Sequence, residues 1–400
     1  MPVLSTPLST VESLTITLID NFGNEINLTK MFLELDIFES IFEQFMTGKL
    51  IILDSLDMIA NVPIIGNETL QLDIDTNQYD APIKLNFTIY KIDKDVQVQK
   101  RNVKNKMYIV YFCSDELIKN FLHPISRKFS DFPENVLQWI LTNAMESEKT
   151  LTSTATAESI DFHSNFWKSS DIIKYLSVNS STSEYSDYIF YEDFSGFNFK
   201  PVSELLSESS LQTLTYETTS ESFIKLNNIR SFKFETYFDL LTLLKVGFFG
   251  STLFKHDVSN YEYTKTESVF SDRENDITSL GKYSFFQSSL SNATNKVDVN
   301  YMDHDIININ STQQKLLNQY NIVAKMNGDF SRKCGMVVDF SFPNTDNESP
   351  TNDQFDGNWL INGIKHIFFQ NTSYEQNVLL SKNSAFDNDK LESITSLKNI

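Results

Sequence analysis

The chain has 400 residues, 40% of them hydrophobic and 13% aromatic, and a formal net charge of −20. That much apolar material excludes a disordered chain and is enough for two to four domains, while the excess of acid excludes a general nucleic-acid binder, which needs a basic footprint. With 11 glycines there is little material for glycine-rich phosphate loops, and two distant cysteines, Cys113 and Cys334, build neither a disulfide framework nor a Cys-rich zinc site. The start, MPVLSTPLST, lacks the basic and apolar regions of a signal peptide, and no run of eighteen apolar residues predicts a membrane span.

In chain order, SLTITLID (13–20) alternates Leu14, Ile16 and Leu18 with Ser13, Thr15 and Thr17, which predicts a half-buried strand followed by the turn NFGN. FMTGKLIILDS (45–55) reads as a turn into a strand, and NVPIIGNETLQLDID (61–75) as a Gly66-Asn67 turn followed by a strand with Leu70, Leu72 and Ile74 on one face. Residues 82–92, with Ile83, Leu85, Phe87 and Ile89 in register, and 107–113, ending at Cys113, predict a long hairpin. Its tip carries Lys94, Lys100, Arg101, Lys104 and Lys106, the one concentrated positive patch. Such a tip is either solvated or meets an acidic neighbouring subunit.

The period then changes. DFPENVLQWILTNAM (131–145) has Val136, Leu137, Ile140, Leu141 and Ala144 at helical spacing, with Pro133 and Glu134 suited to a first turn. Residues 148–159 read as a loop, and KSSDIIKYLSVNS (168–180) as a helix capped by Ser169 or Ser170, with Ile172, Ile173 and Leu176 inward. DYIFYEDFSGFNFK (187–200) predicts a β-hairpin turning at Glu192–Gly196, with one very apolar face that needs a covering layer. From 206 strands return: 222–226, 231–238, 251–266, 334–342, 358–369 and 374–382, with a short helix over 239–247 and a helix-to-strand segment at 311–326. Residues 267–300 are polar, 343–357 form an Asn/Asp-rich loop and 383–400 a peripheral tail.

The sequence offers no P-loop, GxSxG elbow, HExxH or CxxC motif. Asp303-His304-Asp305 has two carboxylates that a strand would place on one face, where a divalent ion needs a further ligand. Glu192 and Asp193 are adjacent and face opposite sides of a strand, a poor geometry for an acid/base pair. Asp73/Asp75 and Glu217/Glu221 are pairs that a chain with 53 acidic residues produces by composition. No catalytic residue, cofactor or metal ligand is assigned. The alternatives left open are a tail-associated cell-wall hydrolase, with two carboxylates across a cleft, and a β-rich receptor-binding protein.

Four segments in this order, EQFMTGKLIILDS through IIGNETLQLDI (43–74), FYEDFSGFNFKPVSELL (190–206), IRSFKFETYFDLLTLLKVGFFGSTLFKHDVSNYEY (229–263) and WLINGIKHIFFQNTSYEQNVLLSKN (358–383), resemble the central baseplate hub of contractile-tailed bacteriophages. The long 343–357 insert departs from that pattern. The resemblance implies a mainly β fold with a smaller α+β part, namely two similar β-barrel tube domains with small domains inserted. Its boundaries would be 1–114 for the first barrel, 115–205 for a small α/β insert, and 206–266 with 308–382 for the second barrel; 267–307 would be a polar insert and 383–400 the tail. It also implies a homotrimer in the virion whose six barrels imitate a tube ring, holding the tail tube on one face and a trimeric spike on the other among further baseplate proteins. DNA would pass through without specific binding. Acid lining such a channel would let DNA slide.

Overall fold

The computed structural model describes residues 10–54, 64–95, 106–183, 187–217, 224–237, 241, 250–257, 261–269, 296–300, 317, 320–341, 356–370 and 372–383. The first barrel is built from β1 (Val11–Ile19), β2 (Glu25–Asn27), β3 (Phe32–Ser40), β4 (Thr47–Asp54), β5 (Thr69–Thr76), β6 (Ile83–Asp95) and β7 (Lys106–Ser114), in the spatial order β3-β4-β7-β6-β5-β1-β2. Period-two alternation does the sorting: Leu14, Ile16, Leu18, Leu70, Leu72, Ile74, Leu85 and Phe87 all turn into one core. The chain itself closes the ring. Leu28 N–H still bonds to Ile16 O on the β1 side, and three residues later Met31 O accepts from Leu53 N–H on the β4 side.

A small α+β unit follows, comprising α1 (Asp115–Leu122), β8 (Ile125–Asp131), α2 (Pro133–Trp139) with a π turn at Ile140–Ala144, β9 (Leu151–Ser153), β10 (Ile160–Trp167), α3 (Ser169–Asn179), β11 (Tyr188–Asp193), β12 (Gly196–Pro201) and α4 (Val202–Ser207). The predicted stripe of α2, Val136, Leu137, Ile140, Leu141 and Ala144, is buried together with Ile172, Ile173 and Leu176 of α3.

The second barrel uses β13 (Gln212–Leu214), β14 (Ile229–Tyr237), β18 (Tyr320–Asn327), β19 (Val337–Phe340), β20 (Gly357–Phe369) and β21 (Tyr374–Lys382), in the order β14-β18-β21-β20-β19-β13. A bridge between Thr215 and Asn228 shuts it, with Thr215 N–H on Asn227 O (3.0 Å) and Ile229 N–H on Thr215 O (2.7 Å). β15 (Gly250–Asp257), β16 (Glu262–Val269) and β17 (Lys296–Asn300) form a separate three-stranded sheet. The fold is thus mainly β with a smaller α+β part.

One strand joins the barrels. β20 has 13 residues, pairs with β21 from Leu360 to Phe368 and with β3 from Gly363 to Phe369, so Ile361 and Ile364 sit in one core and Phe368 in the other.

Several sequence expectations need correction. The aromatic hairpin has two buried faces rather than one: Tyr188, Phe190, Phe197 and Phe199 fill the small unit's core while Ile189 and Tyr191 fill the second barrel's. Residues 148–159 are not wholly loop, because β9 adds in parallel to β12 from Phe197 to Phe199. Neither Ser169 nor Ser170 caps α3; Lys168 is the N-cap residue, and Asn120 Oδ1 from α1 accepts the Ser170 N–H at 2.7 Å. The described part of 222–226 is turn, since Lys225 O and Leu226 O accept from Asn327 Nδ2 and the Arg332 guanidinium instead of from a strand. Among the described residues β2, β3, α1, β8, β10, α4, β13 and β17 are additions, and the single strand expected over 251–266 is the hairpin of β15 and β16. The 239–247 helix apart from Leu241, the 311–319 helix apart from Leu317, 343–355, 384–400 and most of 267–307 lie outside the described residues.

Candidate functional site

The chemistry of the molecule is concentrated where the barrels and the small unit meet. Two polar clusters lie there, both mostly buried. The first crosses the β3–β20 junction. Glu39 on β3 is hydrogen-bonded to His366 Nε2 on β20, whose Nδ1 lies 2.6 Å from Tyr374 Oη on β21. Gln376 Nε2 donates to Tyr374 Oη (2.8 Å) and to Asp329 O (2.9 Å), and Arg332 Nη1 donates to Gln376 Oε1 (2.7 Å) and Asn327 O (2.8 Å). Burial raises the Glu39 carboxyl above its usual range, against the pull of His366. Phe194, at the hairpin tip, stacks on the His366 ring at 4.4 Å.

The Gly328–Arg332 loop ties the second barrel to the first. Phe330 enters the first barrel's core beside Phe368 and Tyr374, while Gln78 Nε2 donates to Asp329 Oδ1 (2.7 Å) and Phe330 N–H donates back to Gln78 Oε1 (2.8 Å). Gly328 is required by close approach: a Cβ there would lie 2.0 Å from the Tyr374 ring.

The second cluster surrounds Lys149. Its ammonium donates to Glu192 Oε1 (2.6 Å) and Glu116 Oε2 (2.8 Å), while Ser114 Oγ (2.6 Å) and Met46 N–H (2.8 Å) donate to Glu192 Oε2. Burial alone would lower the Lys149 ammonium, but the two carboxylates outweigh it and hold it above its ordinary value; burial likewise raises Glu192. This cluster floors a cavity of about 330 Å³ walled by Lys84–Phe87 of β6, Asp115, Glu146–Lys149 and the Asp193–Gly196 turn.

The structure separates the carboxylates the sequence singled out. Glu192 is held by Lys149, Ser114 and Met46, whereas Asp193 accepts from Ser195 N–H (2.7 Å) and Asn198 Nδ2 (3.2 Å). Asp73 and Asp75 lie on the outer face of β5, next to Gln71 and Ser13. Glu217 pairs with Lys225 at 3.0 Å. Cys113 and Cys334 are both buried and free, and burial pushes the Cys113 thiol up to about 12. Glu221, Asp303-His304-Asp305, Lys100, Arg101 and Lys104 lie outside the described residues, and of Lys94 only the backbone is described. Among the described residues no His, Cys, Asp and Glu group has metal-binding geometry, and no helix is long and apolar enough to cross a membrane. Sequence reasoning missed Glu39, His366 and Lys149; the first two are 327 positions apart, and no local pattern connects them.

No protein-family model and no curated protein sequence matches the chain. Solved structures do. A tail protein from Neisseria meningitidis MC58 aligns with a TM-score of 0.57 at 9% identity over 93% of this chain and 97% of its own. The 43 kDa tail protein of prophage MuSo2 from Shewanella oneidensis aligns with a TM-score of 0.58 at 10% identity over 93% and 99%. At that identity the likeness is one of fold, and the chain has the mainly β fold of these tail proteins.

Proposed function

We propose that this chain is a structural component of a phage tail, the trimeric baseplate hub that adapts the hexameric tail tube to a trimeric cell-puncturing spike. The observation that carries this reading is the pair of closed barrels fused edge to edge through β3 and β20. Two tube-like units in one chain let three chains present six, which is how a three-fold spike and a six-fold tube can share one ring. The proposed division is a first barrel over 1–114, a small unit over 115–205, and a second barrel within 206–266 and 308–382, to which the separate sheet of β15, β16 and β17 adds no strand. The working place is the virion tail, with other baseplate proteins as neighbours.

The side chains of the strands facing away from both cores suit a passage for DNA. They bring together Glu34, Asp36, Asp93 and Glu375 with Lys49, Lys91, Lys325 and Lys365. Asp36 contacts Lys49 (3.0 Å) and Lys365 (2.8 Å), Glu375 contacts Lys325 (2.9 Å), and Lys91 contacts Asp93 (2.7 Å). Charges already paired leave little to hold phosphates. This supports sliding by balance rather than by the excess of acid that the composition suggests.

Light scattering of the purified full chain should give the mass of three chains, and negative-stain images should show rings. A single-chain mass at all concentrations, or hydrolysis of peptidoglycan by the isolated protein, would count against the hub.

A further inference from the structure

The Gly328–Arg332 loop ties the barrels together, and three other parts of the chain converge on it. Thr10, just before β1, donates its hydroxyl to Gly328 O (3.0 Å), and its own carbonyl accepts from Thr76 Oγ1 (2.7 Å) and Asn77 N–H (3.2 Å). Tyr79, in the turn after β5, donates its hydroxyl to Phe330 O (3.1 Å). Gln212, which opens β13, donates from Nε2 to Ser331 Oγ (2.8 Å) and Asp329 Oδ2 (3.2 Å), so its neighbour Leu211 also lies beside the loop. Tyr79 from the first barrel and Leu211 from the second thus flank one loop, and they are 46% and 67% exposed. A single exposed apolar side chain needs no explanation, but this pair sits where an apolar segment leaves the fold.

That segment is residues 1–9, MPVLSTPLS, which lead away from the buried Thr10. It carries Met1, Val3, Leu4 and Leu8, two prolines and no Asp, Glu, Lys or Arg, in a chain that is 22% charged. Its side chains therefore offer apolar contact and no ion pairs. Pro2 and Pro7 favour extended backbone and lower the entropy lost when the segment is held in place. In extended backbone Leu8 lies about 7 Å from Thr10 and Leu4 about 20 Å from it. The shorter reach suits Tyr79, two residues from the Asn77 that bonds Thr10; the longer one suits Leu211, across the loop.

We propose that residues 1–9 fold back over the Gly328–Arg332 loop of their own chain, Leu8 against Tyr79 and Leu4 against Leu211, and so clasp the first barrel to the second from outside. The clasp stands without the ring reading, since every group it uses belongs to one chain. β5 ends at Thr76 and the chain turns after it, so the contact at Tyr79 is one of side chains and not an extension of the β1–β5 ladder.

The test is a cysteine pair in the full chain, Leu4→Cys with Leu211→Cys; the native cysteines are buried. The control is Leu4→Cys with Asp75→Cys, since Asp75 is exposed next to the Thr76 that bonds Thr10, where a segment with no docking place would reach equally. Mild oxidation should close an intrachain disulfide in the first variant, read as loss of the two introduced thiols at the mass of one chain on a denaturing non-reducing gel, and the control should give roughly tenfold less. In the single variant Leu211→Cys, a maleimide should react roughly tenfold more slowly than in the same variant carrying Leu4→Asp and Leu8→Asp. Equal cross-linking by the two pairs, or equal labelling with and without the aspartates, would overturn the proposal. Covalent dimers in place of the intrachain disulfide would assign the segment to a neighbouring copy and overturn it too.

Discussion

Tyr374 Oη and His366 Nδ1 share a hydrogen bond across 2.6 Å. Gln376 aims its two Nε2 hydrogens at Tyr374 Oη and Asp329 O. The tyrosine oxygen already accepts from Gln376, and we assign its own proton to His366 Nδ1 and the imidazole Nε2 proton to Glu39. A single chain of hydrogen bonds thereby runs from Arg332 through Gln376, Tyr374 and His366 to Glu39, crossing the junction between the barrels.

Breaking that chain at His366 should be costly. His366→Ala leaves the buried Glu39 carboxyl without its donor, and the expected loss is about 3–5 kcal/mol. Glu39→Gln keeps an acceptor for Nε2–H and should lose only about 1 kcal/mol. Urea unfolding of the two variants measures both, and equal losses would contradict the assigned direction.

Lys149 serves two carboxylates at once, so its removal should be non-additive. Lys149→Met strands Glu116 and Glu192 and is predicted to cost about 3–5 kcal/mol. Adding Glu192→Gln should recover 1 kcal/mol or more, by analogy with contacting residues in double-mutant cycles, where couplings of about 0.5–3 kcal/mol are usual. A cycle that sums to the two single changes would show that the cluster does not act as a unit.

Asp187 gives a pH dependence of known sign. Its carboxyl holds the start of α4 through Ser203 N–H (2.9 Å) and Oγ (2.8 Å), and burial raises it from 3.8 to about 6. The folded state therefore binds this proton more tightly than the unfolded state. Stability from this group is full below pH 3.8 and is lost as pH rises to about 6. Asp187→Asn should remove that slope, so that the variant gains on the native protein between pH 4 and 6 by roughly 2–3 kcal/mol. A gap independent of pH would refute it.

Phe330 carries the second barrel's loop into the first barrel's core. Phe330→Ala is expected to lose about 3–5 kcal/mol. Amide exchange should also rise on both sides of the junction, at Gln78 and at Tyr374 alike. Exchange that rises on one side only would show that the loop does not couple the barrels.

The strands were largely legible in the sequence because period two leaves a mark wherever one face is buried: Leu14, Ile16 and Leu18, and again Leu70, Leu72 and Ile74, are inward as their spacing indicates. The hairpin at 188–201 was legible in its pairing but not in its burial, since a strand enclosed on both faces has no alternation left to read. The helix α1 carried a signal that went unread, Ser114 followed by Asp115 and Glu116. Glu39 and Lys149 were not legible, because what makes them matter is a partner brought close by the fold and not a neighbour in sequence.

β20 belongs to both cores, so the polypeptide passes from one barrel to the next within a single strand, its one irregularity lying at Ile361–Gly363. Six separate barrels around an opening would have six joints that thrust could prise apart. In the ring proposed above, three chains of this kind would have three, and the other half of the circle would be unbroken main chain. Were such a ring loaded along its axis, as the proposed hub would be, fusing its barrels in pairs would halve the number of points at which it can fracture.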